Sequence, residues 1–213
     1  MSQSGDVPSS VYEISKALLQ SLKIVDPLTF YHCCRVGEYS RRLARDAGFN
    51  EYEQKIAEFA GLFHDVGKIG VPQSIIHKPA KLDLDEFSVM KKHPEISEQI
   101  IQVLSDNAFF KDLLSPVRSH HERFDGSGYP DGLTGEQVPL LARVILIVDT
   151  YDAMTQTRSY RKGMPVDAVF SELKKNAGTQ FDVQLVQTFM ESQPHWANEG
   201  DRETNNRIFK LIA

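Results

Sequence analysis

The chain has 213 residues, 41% of them apolar and 25% charged, which suits one soluble domain with a proper core. Its net charge of −5 argues against binding a nucleic-acid polymer, because such binding leans on basic surface. The strongest apolar run, VILIV at 144–148, is far too short to cross a membrane. The N-terminal MSQSGDVPSS lacks the basic and apolar regions of a secretory signal, so a cytoplasmic protein is expected.

Residues 1–9 read as a disordered lead-in. Val11, Ile14, Leu18 and Leu22 then recur at spacings of three and four, the pattern of an amphipathic helix. That helix is a candidate linker or dimer contact, with packing inside the chain the simpler expectation. Asp26-Pro27 pairs a good N-cap with a residue suited to the first helical position, so a second helix runs from there to about Ala47. Tyr52 to Phe63 reads as a third, closed by Gly67, and GKIGVPQSIIHKPAKLD as irregular. Asp85 to Leu104 is helical, with a break expected just after His93 because Pro94 follows. A shorter helix is expected between Leu113 and Arg123, starting near Ser115-Pro116. Pro139 to Met154 reads as a strongly apolar central helix, and Val166–Asn176 and Val183–Met190 as two more. A tail that mixes turns with RIFKLIA begins at Gln193. Strict alternation of apolar and polar residues is nowhere found, so the fold class is all-α, in a single domain.

Cys33 and Cys34 are adjacent, and helical neighbours point about 100° apart, a poor geometry for a disulfide or for a shared metal. Free thiols are expected. Of the seven histidines, His77 and His195 read as surface residues. The other five are His32, His64, His93, His120 and His121. Each has a bland explanation alone; His93 on an apolar face is by itself the pattern of a core residue. Together with Asp65 and Asp149 they sit at predicted helix ends or on buried faces. A carboxylate as buried as Asp65 or Asp149 needs a cation or hydrogen-bond donors. On spacing alone Asp152, one turn after Asp149, serves as well. Imidazole and carboxylate are ligands of iron, manganese and zinc. Seven ligands are too many for one ion that also holds a substrate. They suit two ions with a shared carboxylate, and a pair about 3.5–4 Å apart is the arrangement that hydrolyses phosphoesters.

His64-Asp65, with Gly67 and Lys68, makes HDxGK, and HHERFDGSGYP at 120–130 matches HHExxDGxGYP at every fixed position. With KIGVP, PLLARVILIVDTYDAMT and QFDVQLV, these motifs make the sequence resemble the HD-GYP domains, the bacterial phosphodiesterases of cyclic di-GMP. The resemblance runs from about Asp26 to Phe189. It implies a domain at 26–192, a lead-in with its helix at 1–25 and a tail at 193–213. It implies that His32, His64, Asp65 and Asp149 hold one ion, and Asp65, His93, His120 and His121 the other, with Asp65 bridging. A bridging water or hydroxide is then the nucleophile. The implied cofactor is a pair of divalent ions, iron first and manganese second. Some members use a glutamate one helical turn before the first histidine for a third ion; Leu28 stands there and cannot ligate. Lys68 is placed to stabilise phosphate charge or assist the leaving oxygen. Arg158 and Arg161 look like substrate contacts, with an exposed salt bridge as the alternative; Tyr129 is expected either to contact substrate or to brace the site through its hydroxyl.

Glu122 reads as a supporting residue and Asp125 as an Asx turn. Ala80, Ser97 and Ser159 depart from the family pattern, which bears on loop shape and substrate fit. The implied activity is hydrolysis of cyclic di-GMP to pGpG, and slowly to GMP. The rivals are a non-catalytic cyclic-dinucleotide receptor or adaptor and a phosphodiesterase for another cyclic dinucleotide, such as cyclic GMP-AMP. A homodimer or a diguanylate cyclase remains open as protein partner.

Overall fold

The computed structural model describes residues 7–157 and 162–196. Residues 1–6 of the lead-in expected at 1–9, Arg158, Ser159, Arg161 and the stretch 197–213 with its RIFKLIA lie outside the described residues. The helices are α1 (Ser9–Val25), α2 (Pro27–Asp46), α3 (Glu51–Phe63), α4 (Gln73–Ile76), α5 (Leu84–Met90), α6 (His93–Gln102), α7 (Ala108–Arg118), α8 (Leu140–Thr155), α9 (Val166–Lys175) and α10 (Val183–Trp196). A 3₁₀ turn, Val66–Gly70, follows α3. Among the described residues there is no named strand, and no helix is long and apolar enough to cross a membrane.

Asp26 caps α2 as its sequence predicts: its carboxylate accepts from the backbone N–H of Leu28 and Thr29 at 3.0 and 3.2 Å. Asn50 and Glu53 form a capping box at the start of α3. At the α2–α3 crossing two glycines meet. A Cβ built on Gly61 would stand 2.8 Å from the Cα of Gly37. Without side chains at that point the backbones approach, and His32 and His64 come within 5.2 Å, ring to ring.

Helix α8 is the apolar centre. Val144, Ile145, Ile147 and Val148 are fully buried, and α8 packs on α2, α3 and α7. Helix α1 packs within the chain: Val11, Leu19 and Leu22 are buried, and Tyr12 meets Phe59 edge-on at 5.7 Å.

Three boundaries differ from expectation. The break near Pro94 comes before His93, not after it, because α6 starts at His93. Pro94 lies in the first turn, where its missing N–H leaves no bond unmade. Helix α7 starts at Ala108, not near Ser115. Asn107 caps it, and Phe109, Phe110, Leu113 and Val117 give it a buried face that outweighs the internal Pro116; it ends at Arg118 rather than Arg123. Helix α10 runs past Gln193 to Trp196. The indole stacks on Tyr39 at 5.6 Å and donates to Asp46 at 2.7 Å.

Candidate metal centre

The seven residues singled out come from five elements. His32 sits in the second turn of α2, His64 and Asp65 at the C-terminal end of α3, His93 at the first residue of α6, His120 and His121 just beyond α7, and Asp149 in α8. Their donor atoms gather into two groups. His32, His64 and Asp149 form one; Asp65, His93, His120 and His121 form the other; donor atoms within each lie within 4.8 Å of one another. Asp65 faces both. Its Oδ2 lies 3.4 Å from His64 Nε2 and 3.7 Å from His32 Nε2, and its Oδ1 lies 3.1 Å from His93 Nε2. His77 and His195 are exposed and stand apart.

The direction of four of the five rings follows from an outer partner. His64, His93 and His120 each turn Nδ1 to the carbonyl three residues earlier, on Gly61, Met90 and Val117, at 2.7, 2.8 and 2.7 Å. A carbonyl oxygen only accepts, so Nδ1 carries the proton and the lone pair of Nε2 points inward. His32 does the same with Asp152, at 2.7 Å.

Inward-pointing lone pairs need a cation. Nε2 of His93 and of His120 stand 3.2 Å apart, although each ring has spent its proton on a carbonyl. Nε2 of His64 and Oδ1 of Asp65 are buried without a hydrogen-bond partner. Orphaned polar atoms are costly unless something else meets them, and these are nitrogen and oxygen donors suited to a divalent ion. The residues present therefore fit a metal pair.

The charge states of three of the rings agree. Burial, with His121 and His64 nearby, holds His120 well below the ordinary histidine range. Burial and His93 bring His121 down to about 3. Burial also lowers His64. Neutral rings are the ligating form. Burial opposes the charge on Asp65, but Lys68, with its ammonium 2.5 Å from Oδ2, and the adjacent His64 outweigh it and hold the carboxyl well below the usual range. Asp149, 3.0 Å from His32, is likewise lowered against its burial. For His32, burial favours the neutral ring, but hydrogen bonds to Asp149 and then Asp152 raise it to about 9. Cys33 lies within reach of His64 and Asp65, as a free thiol. Burial and the charge of Asp65 push its pKa well up.

Asp152 is where spacing alone left two readings, and the geometry separates it from Asp149. Its carboxylate receives Arg35 at 2.6 and 2.9 Å as well as His32 Nδ1. Asp152 orients His32 from behind, while Asp149 faces the cluster. Ser97, the departure from pattern, has a use. Its hydroxyl donates to the His64 carbonyl at 2.7 Å and accepts from Gly67 N–H at 2.8 Å, tying the turn after His64-Asp65 to α6. Gly67 is required there, since a Cβ would fall 2.1 Å from the His93 carbonyl oxygen. Sequence reasoning missed Arg35, Gly37 and Gly61. Arg35 is one turn from His32, a spacing that signals a shared face; the glycines gave no signal.

The loop after His121 is held from within. Glu122 is buried and accepts three backbone N–H groups, from Asp131, Gly132 and Leu133, at 2.5, 3.0 and 3.1 Å. Asp125 makes the expected Asx turn with Ser127 N–H at 3.0 Å. Arg118 clamps Asp131 through two bonds of 2.8 Å. Tyr129 lays its ring against His121, centroids 4.8 Å apart. Leu28 is 73% exposed and offers no donor atom.

Residues 16–185 match the HD domain family model. The chain is 39% identical over 156 residues to "Cyclic di-GMP phosphodiesterase response regulator RpfG" of Xanthomonas campestris, covering 73% of this chain and 41% of the relative. It is 37% identical over 165 residues to "3'3'-cGAMP-specific phosphodiesterase 2" of Vibrio cholerae, covering 78% of this chain and 31% of the relative. The chain thus spans less than half the length of these two relatives. A crystal structure of a cyclic GMP-AMP specific phosphodiesterase of V. cholerae superposes with a TM-score of 0.67 at 15% identity, over 95% of this chain and 54% of that one, which shows the shared fold. The family match over most of the chain, on a helical fold whose HD pair sits between two histidine groups, makes this chain a member of the HD domain family.

Proposed function

We propose that the chain is a metal-dependent phosphodiesterase that hydrolyses cyclic di-GMP to linear pGpG, and more slowly to GMP. The observation that carries this reading is Asp65, one buried carboxylate whose two oxygens face two separate histidine groups. In this reading His32, His64, Asp65 and Asp149 hold one divalent ion, and Asp65, His93, His120 and His121 the other. Bound as a pair, the ions lower the pKa of a water between them and polarise the phosphoryl oxygens. Both iron and manganese accept this set of imidazoles and carboxylates, and iron is proposed first.

The side chains do the rest. Lys68 is half-buried beside Asp65 and supplies positive charge to the phosphoryl group or the leaving oxygen. Tyr129 holds His121 and forms a wall of the substrate site. Arg158 and Arg161 are proposed substrate contacts. All seven ligand positions carry ligating side chains, which disfavours a receptor without turnover. The V. cholerae relative named for 3′3′-cGAMP supports a second substrate reading, a mixed cyclic dinucleotide.

The test is turnover by the iron- or manganese-loaded chain on a panel of cyclic di-GMP, 3′3′-cGAMP and cyclic di-AMP, with products separated by chromatography. Cyclic di-GMP is expected to give pGpG. Preferential cleavage of 3′3′-cGAMP selects the second reading, and an intact panel refutes both.

A further inference from the structure

The sequence places Phe87 on an apolar helical face, yet α5 buries none of its residues, and Phe87 is 44% exposed. Its surroundings are not those of a stray surface residue. The ring meets Tyr129 edge-on, centroids 6.4 Å apart at 83°, and Tyr129 in turn lies on His121 at 4.8 Å. One turn beyond Phe87, the carbonyl of Met90 receives Nδ1 of His93. The contacts with Tyr129 and, through it, His121 put Phe87 on the side of α5 that turns toward the histidines. Two ring contacts separate it from His121, a separation within the reach of one nucleotide, whose base lies a sugar away from its phosphate. Lys91 holds its ammonium over one face of the same ring, 5.3 Å from its centroid, so a base would have to use the other face or displace it.

We propose that Phe87, beside Tyr129 at the mouth of the site, is a stacking platform for one purine base of the cyclic dinucleotide. This rests on the phosphodiesterase reading. An exposed aromatic ring beside a catalytic centre gains most from a flat partner, and every base offers a π-face. Phe87 touches neither the reacting phosphate nor a proposed metal ligand. Its contribution belongs to binding and not to the chemical step.

The test compares Phe87→Ala, Phe87→Leu and Phe87→Trp in the metal-loaded full chain, with steady-state kinetics on cyclic di-GMP and metal content of each variant. Ala and Leu should raise KM by roughly 10-fold while kcat stays within about 2-fold and metal content is unchanged, and Trp should restore KM. Leu keeps the apolar bulk without the ring, so restoration by Leu as full as by Trp overturns stacking. An unchanged KM in Phe87→Ala overturns it too, as does a fall in kcat accompanied by metal loss. A wild-type chain inert toward every cyclic dinucleotide overturns the underlying reading as well. With an active wild type, the other adverse outcomes refute the platform alone.

Discussion

Four imidazole rings in the site have one nitrogen committed before anything binds. Three give Nδ1 to a carbonyl and one gives it to Asp152. The lone pairs that remain converge on Asp65. Sequence showed the ligand types and their number, because five histidines and two aspartates at helix ends need a reason. It did not show which aspartate of Asp149 and Asp152 faces the metals, since both recur on one face of α8 and only the fold brings Arg35 behind one of them. Asp152→Ala removes the acceptor that fixes the His32 tautomer. Loss of such an outer partner costs roughly 10–100-fold in metal affinity. Metal titration should then turn from two tight equivalents to one tight and one weakened. Two undisturbed equivalents would show that Asp152 does not orient His32.

Helix ends and close crossings convert those residues into a centre. The α2–α3 approach at Gly37 and Gly61 brings His32 to His64, and the turn at Gly67 lodges against the start of α6, where His93 stands. The α2 cap and the apolar α8 were legible, because Asp-Pro and a run of large aliphatic residues act locally. Pro94 misled because proline both ends a helix and opens one, and its neighbours alone do not decide which. Gly67→Ala should press α6 away from the HD turn. Overpacking of this kind costs about 1–3 kcal/mol and displaces backbone. The expected result is lower stability by urea denaturation, with weakened binding of the ion assigned to His93, His120 and His121. Unchanged stability and metal content would mean that the turn shifts freely.

The whole molecule is a helical domain whose buried centre contains more polar atoms than a core tolerates unaided. Its all-α class was legible because helical periodicity recurs along most of the chain. The convergence of five elements on one point was not, since no local pattern encodes which helix ends meet; the family resemblance supplied that. A site that orders its donors in advance couples binding to folding. Each ion held at 100 times its Kd adds about 2.7 kcal/mol. For a chain of this size that is about 5–10 °C of Tm, so chelation should lower melting by at least that much. A melting curve indifferent to chelator would remove the metals from the fold's account.

The shared carboxylate carries the central claim. Elemental analysis of anaerobically purified wild type and Asp65→Ala, with turnover measured on the same samples, tests it directly. Two divalent ions per chain are expected in the wild type, and Asp65→Ala should lose both metal and turnover together. Turnover retained by Asp65→Ala would contradict the bridging role.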